Sequence, residues 1–188
     1  MKGMKSMSET FVRVSEKDYG YNPDQVDTFL AEAKEAYSAP DDSAQLNEDA
    51  IRAVHFDWVR GGYDPAIVDA ALDRMEAAFI QRRRANVIAA EGEDAWLAKA
   101  YEQAQTLYPR LLRPEGERFA NAAGQGYKKS DVDALLARVS AYFDGKASLT
   151  SGEVRMATFA SAKRAKAYDE AVVDVFLDRV VSVLLAVE

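Results

Sequence analysis

One short unit occurs four times in this chain, and nothing else in the sequence restricts its fold so tightly. The copies open at Gly20-Tyr21, Gly62-Tyr63, Gly126-Tyr127 and Ala167-Tyr168, and they align without gaps. Counting from each tyrosine, position +5 is always valine (Val26, Val68, Val132, Val173), +6 always aspartate (Asp27, Asp69, Asp133, Asp174) and +9 always leucine. Four coincidences at three fixed offsets exceed what composition produces.

Each copy carries the grammar of a helix start. Asn22-Pro23 and Asp64-Pro65 place a capping side chain and then a proline where its missing N–H costs nothing. Asn22 with Gln25 resembles a capping box. Downstream, apolar residues fall at +5, +9, +12 and +16: Val26, Leu30, Ala33, Tyr37; Val68, Leu72, Met75, Phe79; Val132, Leu136, Val139, Phe143; Val173, Leu177, Val180, Leu184. Spacings of 4, 3 and 4 make one narrow stripe per α-helix. A stripe of about three turns is unstable alone in water, so these helices are expected to pack on one another.

The copies are grouped. Tyr21 to Tyr63 is 42 residues and Tyr127 to Tyr168 is 41, whereas Tyr63 to Tyr127 is 64. A second match, Leu46, Ile51, Arg52 and Phe56, recurs 103 residues later as Leu149, Val154, Arg155 and Phe159, with Phe11 and Phe119 leading in to the other two copies. The expected fold is therefore mainly α: four short helical repeats in two duplicated halves, a helical connector, and a few short extended segments. The division expected is a disordered leader over 1–7, a first pair over 8–84, a connector over 85–115 and a second pair over 116–188. In the connector Gly92 interrupts the helix that begins at Pro65, a stripe follows at Leu97, Tyr101, Ala104 and Tyr108, and Pro109 ends it. Ala39 to Ser43 and Gly145 to Gly152 read as linkers, and Phe11–Val14 and Val54–Val59 as the extended pieces. The stretch from Ser38 to Gly62 is long enough to return along the first helix, at ~3.3 Å per extended residue. Copies 1 and 2 are thus expected to pair within the chain as parallel helices, and copies 3 and 4 likewise.

Counting excludes much chemistry. The chain has no cysteine and one histidine, His55, so disulfide scaffolds, cysteine nucleophiles and multi-histidine metal sites are out. With 24 basic against 31 acidic residues the net charge is -7, the wrong sign for nucleic acid as the main partner. No apolar run approaches the ~18–20 residues of a membrane span, which predicts a cytoplasmic protein.

The run Leu46-Asn47-Glu48-Asp49-Ala50-Ile51-Arg52, followed by Phe56, Gly62-Tyr63-Asp64-Pro65, Val68-Asp69 and Leu72-Asp73-Arg74, resembles the amino-terminal module of DivIVA, a bacterial division and polar-growth scaffold. Tandem copies without a long coiled coil resemble the DivIVA-domain repeat proteins of actinobacteria. The resemblance implies a non-catalytic adaptor or scaffold at the septum or growing pole, acting through protein partners, either the division or polar-growth machinery or the protein itself, and needing no cofactor. In membrane-binding relatives the turn before the Gly-Tyr step carries an apolar residue and then a basic one. Here the matching pairs are Asp18-Tyr19, Arg60-Gly61, Gly124-Gln125 and Ala165-Lys166, which argues against direct membrane insertion. The alternative from another class is a cytoplasmic helical binding module unrelated to division.

The recurring residues are read as structural. Tyr21, Tyr63, Tyr127 and Tyr168 are turn anchors with a buried ring and a satisfied hydroxyl. Asp27, Asp69, Asp133 and Asp174 bond a backbone N–H or a tyrosine hydroxyl of the preceding turn. His55 stands alone, without a nucleophile or an orienting group. Glu91-Glu93-Asp94 and Asp41-Asp42 fit no calcium loop. Arg82-Arg83-Arg84 reads as a solvated helix face, and Lys163, Arg164 and Lys166 as the best candidates for an acidic partner or a lipid headgroup. No catalytic, cofactor or metal residue is assigned.

Overall fold

The computed structural model describes residues 11–39 and 46–188. The leader, the Asp41-Asp42 pair and most of the linker from Ala39 to Ser43 lie outside them. The protein is mainly helical with a few short strands, and it divides into two compact units, one up to Arg83 and the other from Arg84.

The first unit begins with strand β1 (Tyr19–Tyr21) and helix α1 (Pro23–Ser38). Asn22 caps α1 by accepting from the Asp24 N–H at 3.0 Å. The expected capping box does not form: Gln25 turns away, accepting from the Asp57 N–H at 2.7 Å and donating to the Asp57 carboxylate at 2.8 Å. Helix α2 (Glu48–Ala53) starts on an Asn47 cap, strand β2 (Trp58–Arg60) follows, and α3 (Pro65–Glu91) starts where Asp64 accepts from the Ala66 N–H. β1 and β2 are antiparallel, Tyr19 opposite Arg60 and Tyr21 opposite Trp58. The Gly20-Tyr21 step is thus a strand, where a turn was expected; the expected extended pieces supply partners in part, β2 overlapping Val54–Val59 at Trp58 and Val59, and Arg13 bridging Tyr63.

The core of this unit collects Val26, Leu30, Tyr63, Val68 and Phe56, with Phe11, Tyr21, Leu72 and Met75 against them. Tyr37 and Phe79, both +16 from their tyrosines, meet with ring centroids 5.4 Å apart. α1 and α3 therefore leave the Tyr21–Tyr63 bridge side by side and in the same direction.

In the second unit α4 (Glu93–Gln105) follows Gly92, whose φ of 92° breaks the helix where the sequence predicts. Pro109 does not end it: α4 stops at Gln105, and Pro109 lies in the first turn of the short α5 (Tyr108–Leu111), where proline is tolerated. The buried face of this region is also not the expected one. Leu97 and Tyr101 are exposed, and the inward stripe is Trp96, Ala100, Ala104 and Leu107. β3 (Gln125–Lys128), α6 (Lys129–Phe143), α7 (Ser151–Arg155), β4 (Ser161–Lys163), β5 (Ala167–Tyr168) and α8 (Glu170–Val187) complete the unit. α7 begins inside the stretch read as a linker, on a capping box between Thr150 and Glu153. β3 is central, flanked by β4 and β5. α4 packs antiparallel to α8, with the Trp96 indole N–H donating to the Ala186 carbonyl at 2.8 Å and Arg179 donating to Thr106.

Candidate functional site

In each unit two tyrosine-led segments cross at their backbones. The Tyr21 N–H donates to the Tyr63 carbonyl and the Tyr63 N–H to the Tyr21 carbonyl, both at 2.9 Å. Gly20 and Gly62 face each other so closely that a Cβ on Gly20 would stand 2.3 Å from the Tyr63 oxygen, and one on Gly62 2.5 Å from the Tyr21 oxygen. In the second unit Tyr127 pairs with Tyr168 in the same antiparallel sense, and a Cβ on Gly126 would lie 2.2 Å from the Tyr168 oxygen. Ala167 occupies the fourth place and is fully buried. Glycine is required where the backbones touch, and one methyl is admitted on one side only of the second crossing.

The crossing sets which carboxylate each hydroxyl reaches. Tyr63 donates to Asp27 at 3.2 Å, Tyr168 to Asp133 at 3.0 Å and Tyr127 to Asp174 at 3.5 Å, while Tyr21 hydrogen-bonds Asp69. Every tyrosine thus reaches the aspartate of the other segment in its unit, not one in its own preceding turn. Desolvation raises the pKa of all four hydroxyls. It also raises that of Asp69 and Asp174, against the lowering effect of the tyrosine bond.

The exchanges are unequal. Tyr63 and Tyr168 are buried, whereas Tyr21 and Tyr127 are half-buried and their partners Asp69 and Asp174 exposed. Asp133 is the most enclosed of the aspartates: beside Tyr168 it accepts from the Gly116 N–H at 2.8 Å and lies 3.7 Å from the buried Arg118 guanidinium. Arg118 also donates to the Asp133 carbonyl, and its backbone N–H donates to the Tyr168 hydroxyl at 3.1 Å. Sequence reading missed Arg118, because the carboxylate it meets, Asp133, lies on a later helix, outside any local pattern.

The three arginines after the second stripe are not a solvated face as a set. Arg82 donates to the Ala36 carbonyl at 2.9 Å and to those of Tyr37 and Ala39, closing the end of α1, and its guanidinium lies over the Tyr37 ring. Arg83 pairs with the buried Glu48 at 2.9 Å. Beside them Arg52 pairs with the buried Glu76. Lys163, Arg164 and Lys166 are exposed. They run from the edge strand β4 through a 3₁₀ turn in which Arg164 has φ 51°, the left-handed geometry that Gly61 (φ 64°) adopts in the first unit. His55 is exposed, and among the described residues no group of three or more potential ligands is placed to hold a metal ion. No described helix is long and apolar enough to cross a membrane.

One further surface stands out. Residues paired directly across an antiparallel ladder share a face, so Tyr19, Tyr21, Trp58 and Arg60 lie together. Tyr19 is 55% exposed and Trp58 58%; the Tyr21 and Trp58 rings are 5.1 Å apart, and Arg60 sits over Tyr19 at 5.5 Å. The alternation Tyr19, Tyr21 and Trp58, Arg60 was the available signal. The matching face of the second unit carries Gln125, Tyr127, Ser161 and Lys163.

No protein-family model, curated protein or solved structure matches the chain.

Proposed function

We propose that this is a non-catalytic adaptor or scaffold built from four DivIVA-like helical repeats in two duplicated halves, serving bacterial cell division or polar growth through protein–protein contacts. One observation carries the reading: the residues that recur at fixed offsets are spent on one another. Each repeat tyrosine holds the aspartate of its neighbour, and the glycines beside them let the backbones cross. A motif whose polar groups close on its own kind is a packing device, and the surfaces left over are the ones a partner meets. The equivalent placement of α2 and α7, each starting on a side-chain cap 103 residues apart, supports the duplication. In a bacterium that carries the protein, a fluorescent fusion is expected to gather at the septum or the growing pole, and a pull-down with the same tag to recover division proteins. A uniformly diffuse fusion at native expression would overturn the division reading and leave a helical binding module with some other partner.

A further inference from the structure

In the second unit three arginines converge without a carboxylate. Arg110 lies on α5, Arg113 follows that helix, and Arg179 lies on α8. Arg110 and Arg113 each donate from Nη1 to the same oxygen, the Arg118 carbonyl, at 2.8 and 3.4 Å. The Arg110 guanidinium also stacks on the Phe119 ring at 5.0 Å, and that ring meets Phe176, one turn before Arg179 on α8, at 5.5 Å. Arg179 donates to the Thr106 hydroxyl, four residues before Arg110, at 2.6 Å. Each guanidinium thus spends one nitrogen on a neutral oxygen and keeps the rest of its fork. Among the described residues none of the three forms an ion pair, although Glu115 and Glu117 are exposed between Arg113 and Arg118 in the chain. Other arginines of the unit are paired. Arg118 has Asp133 at 3.7 Å, and Arg138, at the same offset from its repeat tyrosine as Arg179, has Glu153 at 2.7 Å. The cluster carries a cost: desolvation first, and then the charges of Arg113 and Arg179, lower the Arg110 pKa from its ordinary value.

We propose that Arg110, Arg113 and Arg179 form a binding site for a phosphate monoester. A carboxylate brings one charge and one pair of oxygens, enough for a single guanidinium fork. A phosphate monoester brings about two negative charges and three acceptor oxygens, which matches forks supplied by α5, by the segment after it and by α8. The Phe119 ring and the shared Arg118 carbonyl hold two of the forks before the ligand arrives, which reduces the cost of ordering them. The phosphate is carried by a small ester or by a phosphoserine of a partner protein, and its chemistry at the arginines is the same. The site lies within one unit and needs no division partner, so its loss would leave the scaffold reading standing, and the reverse holds too.

Calorimetric titration of the full chain with inorganic phosphate, glycerol phosphate and a phosphoserine peptide, at constant chloride, tests it. One saturable site is expected for each, and none for the peptide without its phosphate. Arg110→Gln, Arg113→Gln and Arg179→Gln should each raise Kd about tenfold or more. Arg113 and Arg179 are exposed, so their variants keep the fold even if Arg110→Gln does not, and circular dichroism checks this. Arg113→Lys keeps the charge but loses the fork, and should raise Kd by a smaller factor than Arg113→Gln. Arg138→Gln removes an equal charge elsewhere on the unit and should leave Kd within about twofold. A phosphoserine peptide that binds more tightly than glycerol phosphate assigns the phosphate to a partner protein, and one that binds no more tightly assigns it to a small ester. No saturable binding up to about 10 mM phosphate, a Kd unmoved by the glutamine variants, or an equal loss in Arg138→Gln overturns the proposal.

Discussion

At one helix contact the two units use opposite chemistry. In the first, α2 meets α3 through ion pairs of a buried carboxylate with a half-buried arginine: Glu48 with Arg83, and Glu76 with Arg52. In the second, α7 meets α8 at the matching positions. Ser151 stands for Glu48 and donates to Glu188, which stands for Arg83, at 2.6 Å from its N–H and 2.8 Å from its hydroxyl. Val181 stands for Glu76 and is buried. The difference teaches that the contact is placed by the tyrosine crossing and the helix caps, and that what fills it is interchangeable. Buried ions fix geometry but contribute little net stability against apolar groups of like shape.

The exchange at the crossing is where the units should separate most. Removing the Asp133 carboxylate takes the acceptor from the Tyr168 hydroxyl and the counter-charge from the buried Arg118 guanidinium, so Asp133→Ala is expected to cost about 3–5 kcal/mol in urea unfolding. Asp27→Ala removes the carboxylate that accepts from the Tyr63 hydroxyl and should cost about 1–3 kcal/mol. Equal losses would mean that Arg118 adds nothing to the Asp133 exchange.

The backbone crossing gives the next effect. Gly126→Ala forces a methyl toward a carbonyl oxygen 2.2 Å away and should cost about 3 kcal/mol, whereas Ala167→Gly on the opposite side should cost about 0.5–1 kcal/mol. Glu76→Val alone leaves Arg52 with Asp49 at the rim and should destabilise, while Arg52→Met with Glu76→Val should return to within about 1 kcal/mol of wild type. A double variant as weak as the single one would show that the ions do more than fill the space.

Much of this was legible from residues alone. Asn22-Pro23 and Asp64-Pro65 gave two helix starts, and the +5, +9 and +12 residues of the four stripes are buried or half-buried. Offsets within one segment do not say which segment's aspartate a hydroxyl reaches, so the exchange stayed hidden until two backbones were seen to cross. In α4 the apolar residues admit two phases, and Leu97 and Tyr101 outweigh Ala100 in any reading by hydropathy; burial follows the Trp96 phase because its indole N–H finds the Ala186 carbonyl. Gln25 fits a capping box in sequence, yet it takes the Asp57 N–H, a long-range donor that a local pattern does not contain. Arg82 to Arg84 look solvated for the same reason: the carbonyls and the carboxylate that two of them hold lie on other helices.

Arg164 tests the turn with a smaller effect. It and Gly61 share left-handed geometry, strained for arginine and free for glycine. Arg164→Gly should stabilise by about 0.5–1 kcal/mol, and Gly61→Ala, which has room for its methyl, should destabilise by a similar amount. Two changes of the same sign would mean that contacts, not backbone geometry, decide this turn.

The smallest contrast is one of pH. Gln25 accepts the Asp57 N–H in the first unit, and at the matching positions Asp131 accepts the Ala160 N–H at 3.1 Å. That bond, ahead of those from Ser130 and Lys128, holds the Asp131 pKa below its ordinary value. Its contribution is therefore present above the unfolded carboxylate pKa and lost as pH falls through the folded one. Asp174 is shifted the other way by desolvation, so its contribution is present below the unfolded pKa and lost as pH rises through the folded one. Asp131→Gln, which copies the first unit, should flatten the acid side of the stability profile. Asp174→Asn should raise stability near neutrality by well under about 1 kcal/mol, because the group is largely exposed and screened. Urea midpoints between pH 3 and 7 check both signs. A profile unmoved by Asp131→Gln would mean that the neutral and charged acceptors are equivalent, and that the units do not differ in their response to acid at this bond.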